Sequence, residues 1–172
     1  IDAFNLSISN KLKLTQDIEK IGPTYPGKEL VAALEKTFDD LLLEKRFDKN
    51  GRRFTPPLRQ AMKEQMNLAK VADNILVRYG FVRACADQRL LPTDEIAVNN
   101  PGDVEFDEIQ NSSLDIATPL AILHESQDGR WLYVRSPTSD GWIKKADVII
   151  CTLADIKNYL EQASFAVIVS PK

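Results

Sequence analysis

The apolar positions between residues 26 and 47 recur at the spacing of an α-helix. Leu30, Leu34, Phe38 and Leu41 fall on one stripe, and charged side chains occupy the opposite face. Such a stripe is typical of a helix that lies on a protein core, because positions three and four apart share one side. The pattern therefore predicts a helix from about Pro26 to Phe47.

A second helix is predicted from Thr55 onward, after a turn at Asp48–Gly51. Thr55 is an N-cap residue type, and the two prolines that follow it fit a first helical turn, where no backbone N–H is needed. The apolar stripe of this helix consists of Leu58, Met62, Met66, Ala69, Ala72 and Ile75. Tyr79-Gly80 is the expected stop. Core packing explains the two methionines best, and a ligand groove is the alternative.

From Phe81 onward the pattern changes to short apolar runs that are separated by turn residues. Phe81–Ala86 is the first predicted strand, and the Asp-Gly pairs at 128–129 and 140–141 are typical of tight turns. Short runs at this spacing indicate a small all-β barrel or sandwich. Residues 95–115 lack periodicity and predict a long loop inserted in that barrel.

The C-terminal segment predicts a short helix and a strand. Thr152 is an N-cap type, Asp155 suits the first turn, and the helix is expected to end near Ala163. Phe165–Val169 is an apolar run of the β type. A strand there needs a partner, and the edge of the barrel is one candidate.

Composition and charge fit a folded protein with an acidic second half. The chain has 172 residues, of which 44% are hydrophobic and 27% charged, which suits one ordinary domain or two small ones. Residues 80–172 carry 14 acidic against 8 basic side chains, whereas residues 1–79 carry 11 against 14. An acidic module is a poor partner for nucleic acid, whose affinity comes from phosphate neutralisation, and it suits an amine instead. No apolar run is long enough to predict a membrane span, and the start at Ile1 suggests a processed protein or a fragment.

Three motifs in the β-rich part resemble bacterial SH3 domains. They are Arg89-Leu-Leu-Pro-Thr93, Phe106-Asp-Glu-Ile-Gln110 and Gly141-Trp-Ile143. Their order is similar to that in the first SH3-like domain (SH3b1 type) found upstream of NlpC/P60 cysteine peptidases, which cut cell-wall stem peptides next to D-glutamate. The resemblance covers roughly residues 76–150 and implies an SH3-like barrel there.

The hydrophobic pattern and the resemblance together predict an α+β fold with three parts. Residues 1–75 form a helical N-terminal region, residues 76–150 form the SH3-like barrel, and residues 151–172 form a short helix plus a strand. In the resembled family a second SH3-like domain follows at about this point. A further domain is therefore expected to begin there.

The resemblance implies a non-catalytic role in targeting and substrate gating for an NlpC/P60-type stem-peptide endopeptidase. In such enzymes the first SH3-like domain leans on the active site, where a carboxylate can pair with the free amine of the peptide's first alanine. The candidate ligand-binding residues are Asp107, Glu108, Gln110, Ser112, Tyr133 and Trp131. Asp107 or Glu108 is the expected carboxylate, and core packing is the alternative role for Trp131.

The expected partners are the peptidoglycan stem peptide or a catalytic domain outside this chain. No nucleic acid, cofactor or metal is expected. Export to the periplasm or cell envelope follows from the resemblance, and a cytoplasmic location stays open. The alternative function is a stand-alone SH3-like protein–protein interaction module with no cell-wall ligand.

The chain lacks the catalytic set of the resembled peptidases, which use a cysteine in an Asp-Cys-Ser-Gly setting with two later histidines. Its cysteines are Cys85 and Cys151, and its single histidine, His124, has no companion ligands for a metal. We therefore expect this chain alone to hydrolyse nothing. A cysteine hydrolase that pairs either thiol with His124 is a further alternative. The two cysteines flank the barrel, so a disulfide in an exported protein and two buried free thiols are both open.

Overall fold

The computed structural model describes residues 15–42, 45–103 and 105–162. The helices are α1 (Gly27–Leu42), α2 (Pro56–Gln65) and α3 (Leu153–Leu160). The strands are β1 (Thr24–Pro26), β2 (Asn74–Leu76), β3 (Arg78–Val82), β4 (Ala86–Arg89), β5 (Gln110–Leu114), β6 (Pro119–Glu125), β7 (Trp131–Arg135), β8 (Asp140–Lys144) and β9 (Val148–Cys151). This order confirms the predicted α+β class: N-terminal helices, a β-rich SH3-like region and a short C-terminal helix.

Seven antiparallel strands form the main sheet, in the order β5-β4-β8-β7-β6-β3-β9. Strand β7 lies at its centre, between β6 and β8. A bulge between Ile122 and His124 shifts the register of β6 against β7. Bulges of this kind bend a strand, which suits a small curved barrel.

Both faces of β7 are buried, so the sheet separates two hydrophobic layers. Leu132 and Val134 join the barrel interior with Leu120 and Ile143. The intervening residues of β7 belong instead to the core formed with the helices. The alternation follows from the strand geometry, because successive side chains point to opposite faces. The result is a helical layer packed on the outside of the barrel.

Helix α1 confirms its predicted stripe. Leu30, Leu34, Phe38 and Leu41 are all buried, and they share one core cluster with residues of the sheet, including Trp131 and Trp142. This cluster contains residues from both sides of positions 75–76, where the sequence predicts the boundary between the helical region and the barrel. The three-part domain division stays a prediction.

Helix α2 is shorter than predicted. It ends at Gln65, after which Asn67 takes a left-handed conformation with φ of 55°. Ile75 lies in β2, which pairs with β1 rather than continuing the helix. The apolar spacing was misleading here because pairing with residues 24–26 overrides the helical preference of the segment. The predicted N-cap of this helix is confirmed, because Oγ1 of Thr55 accepts a hydrogen bond from the Leu58 N–H at 3.4 Å.

The predicted first barrel strand is wrong in its bounds. Phe81–Ala86 contains the end of β3, a connection and the start of β4. The expected helix stop at Tyr79-Gly80 lies within β3, where Gly80 serves strand packing. A Cβ on Gly80 would lie 2.6 Å from the carbonyl oxygen of Ile149 on the neighbouring strand. Only a residue without a side chain permits that approach.

The long loop and the C-terminal helix also differ in length from their predictions. The loop ends earlier than expected, because β5 occupies Gln110–Leu114. Helix α3 ends at Leu160 and begins with a capping box in which the side chains of Thr152 and Asp155 each accept a backbone N–H from the other residue. The predicted strand at Phe165–Val169 lies outside the described residues.

We expect Leu34→Ala to lower the free energy of unfolding by about 2–5 kcal/mol, because it opens a cavity between helix and sheet. Denaturant unfolding should be followed both by tryptophan fluorescence, which reports on the interface between the helices and the sheet, and by far-ultraviolet circular dichroism. Both midpoints should fall together, and Glu35→Ala on the exposed face should leave them unchanged. A fluorescence midpoint that falls further than the circular-dichroism midpoint would show that the helices leave the sheet before the sheet unfolds.

Candidate functional site

The site with the most converging polar side chains is an open cleft on the barrel, with a volume of about 630 Å³. We call it the barrel cleft. It is lined by Cys85, Ala86, Asp87, Arg89, Asp94, Ile96, Asp107, Gln110, Trp131, Lys144 and Asp147. Strands β4 and β5 with the loop between them, the start of β7, and the end of β8 with the turn that follows it bring these residues together.

An ion pair between Arg89 and Asp107 forms the floor of the cleft. Nη2 of Arg89 donates to Oδ2 of Asp107 at 2.8 Å and to the carbonyl oxygen of Glu95 at 2.6 Å. The other carboxylate oxygen of Asp107 accepts the N–H groups of Ala97 and Ile109, each at 3.0 Å. Both charged side chains are largely buried. Asp107 therefore holds the long loop in place while its carboxylate is already fully engaged.

Lys144 and Asp94 form one wall of the cleft. Nζ of Lys144 lies 2.7 Å from Oδ1 of Asp94, and 5.5 Å from the centre of the Trp131 ring. Arg130 reaches the other oxygen of Asp94 at 3.2 Å. The hydrogen bond from the Lys144 ammonium is the main cause that lowers the pKa of Asp94. Asp94 thus stays ionised and neutralises the lysine beside it.

The remaining two carboxylates of the cleft are outside these ion pairs. Oδ1 of Asp87, an exposed residue, accepts a hydrogen bond from Nε2 of Gln110 at 3.2 Å. Among the residues that the structure describes, the side chain of Asp147 has no hydrogen-bond or ion-pair partner. The four carboxylates of the cleft face the two lining cations Arg89 and Lys144, together with Arg130, which reaches Asp94 from outside the lining, so negative charge remains in excess. Such a site suits a cationic group.

The structure brings together three of the six predicted ligand-binding residues. Asp107, Gln110 and Trp131 line the barrel cleft. Trp131 is nevertheless only 2% exposed, because most of its ring packs into the core shared with the helices. That packing is the alternative role predicted for it.

The other three predicted residues lie away from the cleft. Oε1 of Glu108 accepts a hydrogen bond from the Asn99 amide. Ser112 lies on β5, where its carbonyl oxygen accepts Nε2 of Gln110 at 2.7 Å. Tyr133 is buried beneath the helices with its ring edge-on to Trp142, and this burial raises the pKa of its hydroxyl strongly.

Five charged residues of the cleft lie outside the six predicted ligand-binding residues: Asp87, Arg89, Asp94, Lys144 and Asp147. Arg89 stands in a recognised motif, but nothing in the motif marks its charge as buried. The sequence does contain one sign that Asp87 faces outward. It is a polar residue between Ala86 and Gln88 on a strand, and alternation places its side chain on the opposite face from its neighbours.

Neither cysteine is arranged for catalysis or for a disulfide. Of the two open alternatives, the structure has free thiols rather than a disulfide, but they are not both buried: Cys85 is exposed and Cys151 is half-buried. Sγ of Cys85 lies 3.4 Å from Oγ of Ser113. Burial raises the pKa of Cys151, which makes it a poorer nucleophile. Within the described part of the chain, no hydrogen bond joins either thiol to His124.

His124 holds the barrel to the helical layer. Its Nε2 lies 3.1 Å from the carbonyl oxygen of Met66 and 3.2 Å from that of Asn67, just past the end of α2. The ring is also edge-on to Trp142, with centroids 6.1 Å apart. Burial lowers the pKa of His124, and the two carbonyl contacts oppose that effect only in part.

Across residues 15–42, 45–103 and 105–162, no group of three or more His, Cys, Asp or Glu side chains could hold a metal ion. No helix in the same ranges is long and apolar enough to cross a membrane.

Comparisons with known proteins agree with this architecture. Residues 98–144 match the family described as SH3 domain, SH3b1 type. The chain is also similar to the solved structure of an NlpC/P60 endopeptidase from Photobacterium damselae subsp. piscicida, with 21% sequence identity and a TM-score of 0.68. The alignment covers 92% of this chain but 37% of that one, so this chain spans little more than a third of that protein's length. No curated protein matches the chain. The predicted resemblance to the SH3-like part of such proteins is thereby confirmed.

We expect Asp107→Asn to lower the free energy of unfolding by about 3 kcal/mol, because it leaves the buried guanidinium of Arg89 without its counter-ion. The amides of Ala97 and Ile109 should also exchange faster with solvent, since they lose their carboxylate acceptor. Denaturant titration and hydrogen exchange measure these effects. Asp103→Asn, on the exposed part of the same loop, is the matched control. Equal stability of the two variants would contradict the role assigned to Asp107.

Stability should fall as the pH falls below the unfolded-state pKa of His124, which is about 6.5. The folded-state pKa is lowered, so the unfolded chain binds more protons just below that pH and the folded state is disfavoured. At most one proton is involved, which limits the slope to about 1.4 kcal/mol per pH unit. The slope is measured by denaturant titrations between pH 5.5 and 7.5, at steps of about half a pH unit. If His124→Asn shows the same dependence of unfolding free energy on pH, that dependence comes from other groups.

Proposed function

We propose that this chain is a non-catalytic targeting and substrate-gating part of an NlpC/P60-type stem-peptide endopeptidase. In this proposal the barrel cleft receives the free α-amino group of a cell-wall peptide. The protein acts in the cell envelope, after export, and the hydrolytic cysteine belongs to a catalytic domain outside this sequence.

The observation that carries the proposal is the charge balance of the barrel cleft. Its two cations are each paired with a carboxylate, at 2.8 Å for Arg89–Asp107 and 2.7 Å for Lys144–Asp94. The carboxylates of Asp87 and Asp147 remain to attract an ammonium group at the rim. A charge-assisted hydrogen bond to such a group is stronger than a neutral one.

Two further facts support the role as part of a larger peptidase. The match to the SH3b1 type and the fold shared with an NlpC/P60 endopeptidase point to this class of protein. The thiols lack a partner base among the described residues, and the cleft contains the exposed Cys85 without an imidazole. Binding and positioning are therefore the functions that this geometry supports best.

The second candidate is a stand-alone protein–protein interaction module with no cell-wall ligand. It is favoured by a group of exposed apolar side chains on β9 and α3, namely Ile149, Ile150, Tyr159 and Leu160. Strand β9 lies at an edge of the sheet. Exposed apolar side chains at a sheet edge are a frequent feature of surfaces that bind other proteins.

The test is a nuclear magnetic resonance titration with the dipeptide L-alanyl-γ-D-glutamate, which carries a free amine. We expect saturable shifts of the Asp87 and Asp147 backbone amides at millimolar ligand. Asp87→Asn and Asp147→Asn should each weaken binding by about tenfold, as loss of one charged hydrogen bond predicts. Asp107 is unsuitable for this test because its loss also releases the loop.

Two controls separate amine recognition from general binding. The N-acetylated dipeptide lacks the positive charge and should not bind, and Asp103→Asn should bind as the unaltered protein does. Equal binding of both dipeptides would contradict recognition of the amine by the cleft. No shift of any amide at millimolar dipeptide would reject the stem-peptide proposal in favour of the interaction module.

A further inference from the structure

The strongest concentration of positive charge lies in a hairpin between α1 and α2. Residues 45–54, which we call the basic hairpin, contain five cations (Lys45, Arg46, Lys49, Arg52 and Arg53) and one carboxylate, Asp48. The net charge of the whole chain is −3, so the hairpin carries +4 while the rest of the chain carries −7. The hairpin is thus a strongly basic segment in a chain whose remaining residues carry net negative charge.

The hairpin has a rigid base. Phe47 exchanges two backbone hydrogen bonds with Val98, each 2.9 Å long, and the Phe54 N–H donates to the carbonyl oxygen of Arg46 at 2.9 Å. The side chain of Phe54 is 2% exposed, which anchors the second strand of the hairpin in the core. A fixed backbone lowers the entropy that its side chains lose when they bind a partner.

The single carboxylate of the hairpin forms the turn. Oδ1 of Asp48 accepts the N–H groups of Asn50 and Arg52, both at 2.8 Å. The bond from the Arg52 N–H is the main cause that lowers the pKa of Asp48. Asp48 therefore fixes the conformation of the turn, and its carboxylate faces the backbone N–H groups.

Four of the five cations are exposed, and none of the four forms an ion pair among the described residues. Lys45, Lys49, Arg52 and Arg53 are exposed, and no ion pair joins any of them to a carboxylate in the described ranges. Such clusters of like charge destabilise a folded chain slightly. Arg53 also lines a concave surface of about 390 Å³ with Thr55, Pro56 and Arg59 at the start of α2. The surface is thus open to an anionic partner.

The chemistry of the hairpin selects among anionic partners. Its aromatic side chains, Phe47 and Phe54, are half-buried and buried, so no exposed ring is available to stack on nucleobases. None of the exposed large apolar side chains of the described residues belongs to the hairpin, so it offers nothing to insert into a bilayer. The guanidinium groups of Arg52 and Arg53 each suit phosphate oxygens, because a guanidinium can donate two parallel hydrogen bonds to one phosphate. Arg52 and Arg53 are consecutive residues of an extended segment, so their side chains leave it on opposite sides, as a chain that wraps the hairpin could use.

From these observations we infer that the basic hairpin binds a flexible, linear phosphate polymer. The inference is independent of the stem-peptide proposal, because it uses none of the barrel-cleft residues. The polymer would lie across Lys49, Arg52 and Arg53, and released counter-ions would contribute to its affinity.

The test measures binding of long-chain inorganic polyphosphate to the full chain by fluorescence anisotropy at 50 and 200 mM salt. We expect binding at the lower concentration and a decrease of about tenfold or more at the higher one, as counter-ion release by three or four contacts predicts. The variant Lys49→Gln/Arg52→Gln/Arg53→Gln should lose at least about tenfold in affinity. Circular dichroism checks that the variant is folded.

The matched control is Lys28→Gln/Lys70→Gln/Arg83→Gln, which removes the same charge from exposed positions outside the hairpin. It should retain the affinity of the unaltered protein. Equal losses in the two triple variants would overturn the inference, since net charge alone would then explain binding. Tighter binding to a single-stranded oligonucleotide, or to phosphatidylglycerol vesicles, than to polyphosphate would also overturn it.

Discussion

The ion pair between Arg89 and Asp107 determines the shape of the loop on which every candidate site depends. A buried pair contributes little by itself, but breaking it leaves a charge without solvent or partner. The carboxylate of Asp107 also accepts two backbone N–H groups, from Ala97 and Ile109, and so fixes these residues at the two sides of the loop. One face of this loop lines the barrel cleft, and Val98 on the same loop holds the basic hairpin.

The second constraint is the burial of β7 on both faces. A central position in the sheet is ordinary for a strand of such a barrel. The aromatic side chains on the outer face of β7, however, must be shielded from water by another element. Helices α1 and α2 provide this shield, and the bonds between His124 and the backbone beyond α2 fix their position. The helices cover one face of the sheet, and the cleft opens beside β4 and β5, where the Arg89–Asp107 pair both lines the cleft and stabilises the loop.

Sequence patterns predicted the local features of the fold well and the tertiary ones less well. The stripe of α1 and the caps at Thr55 and Thr152 depend on contacts within a few residues, and the structure contains them. The end of α2 depends on pairing of residues 74–76 with a strand fifty residues earlier, which no periodicity reveals. Asp107 was expected to bind ligand because the resemblance implies a carboxylate there, and nothing in the sequence indicated the ion pair and the two backbone N–H bonds that engage it. Asp87 and Asp147 lie sixty positions apart in sequence, and only the curvature of the sheet brings them to one cleft.

The aromatic outer face of the barrel bears on how such a module can be exchanged between proteins. SH3-like barrels with polar outer faces can be joined to new neighbours by a linker alone. Here Trp131, Tyr133 and Trp142 belong to the core cluster that the sheet shares with the helices, so a barrel separated from the helices would expose part of an aromatic surface. A barrel transferred to another protein would therefore need either these helices or another apolar partner on the same face.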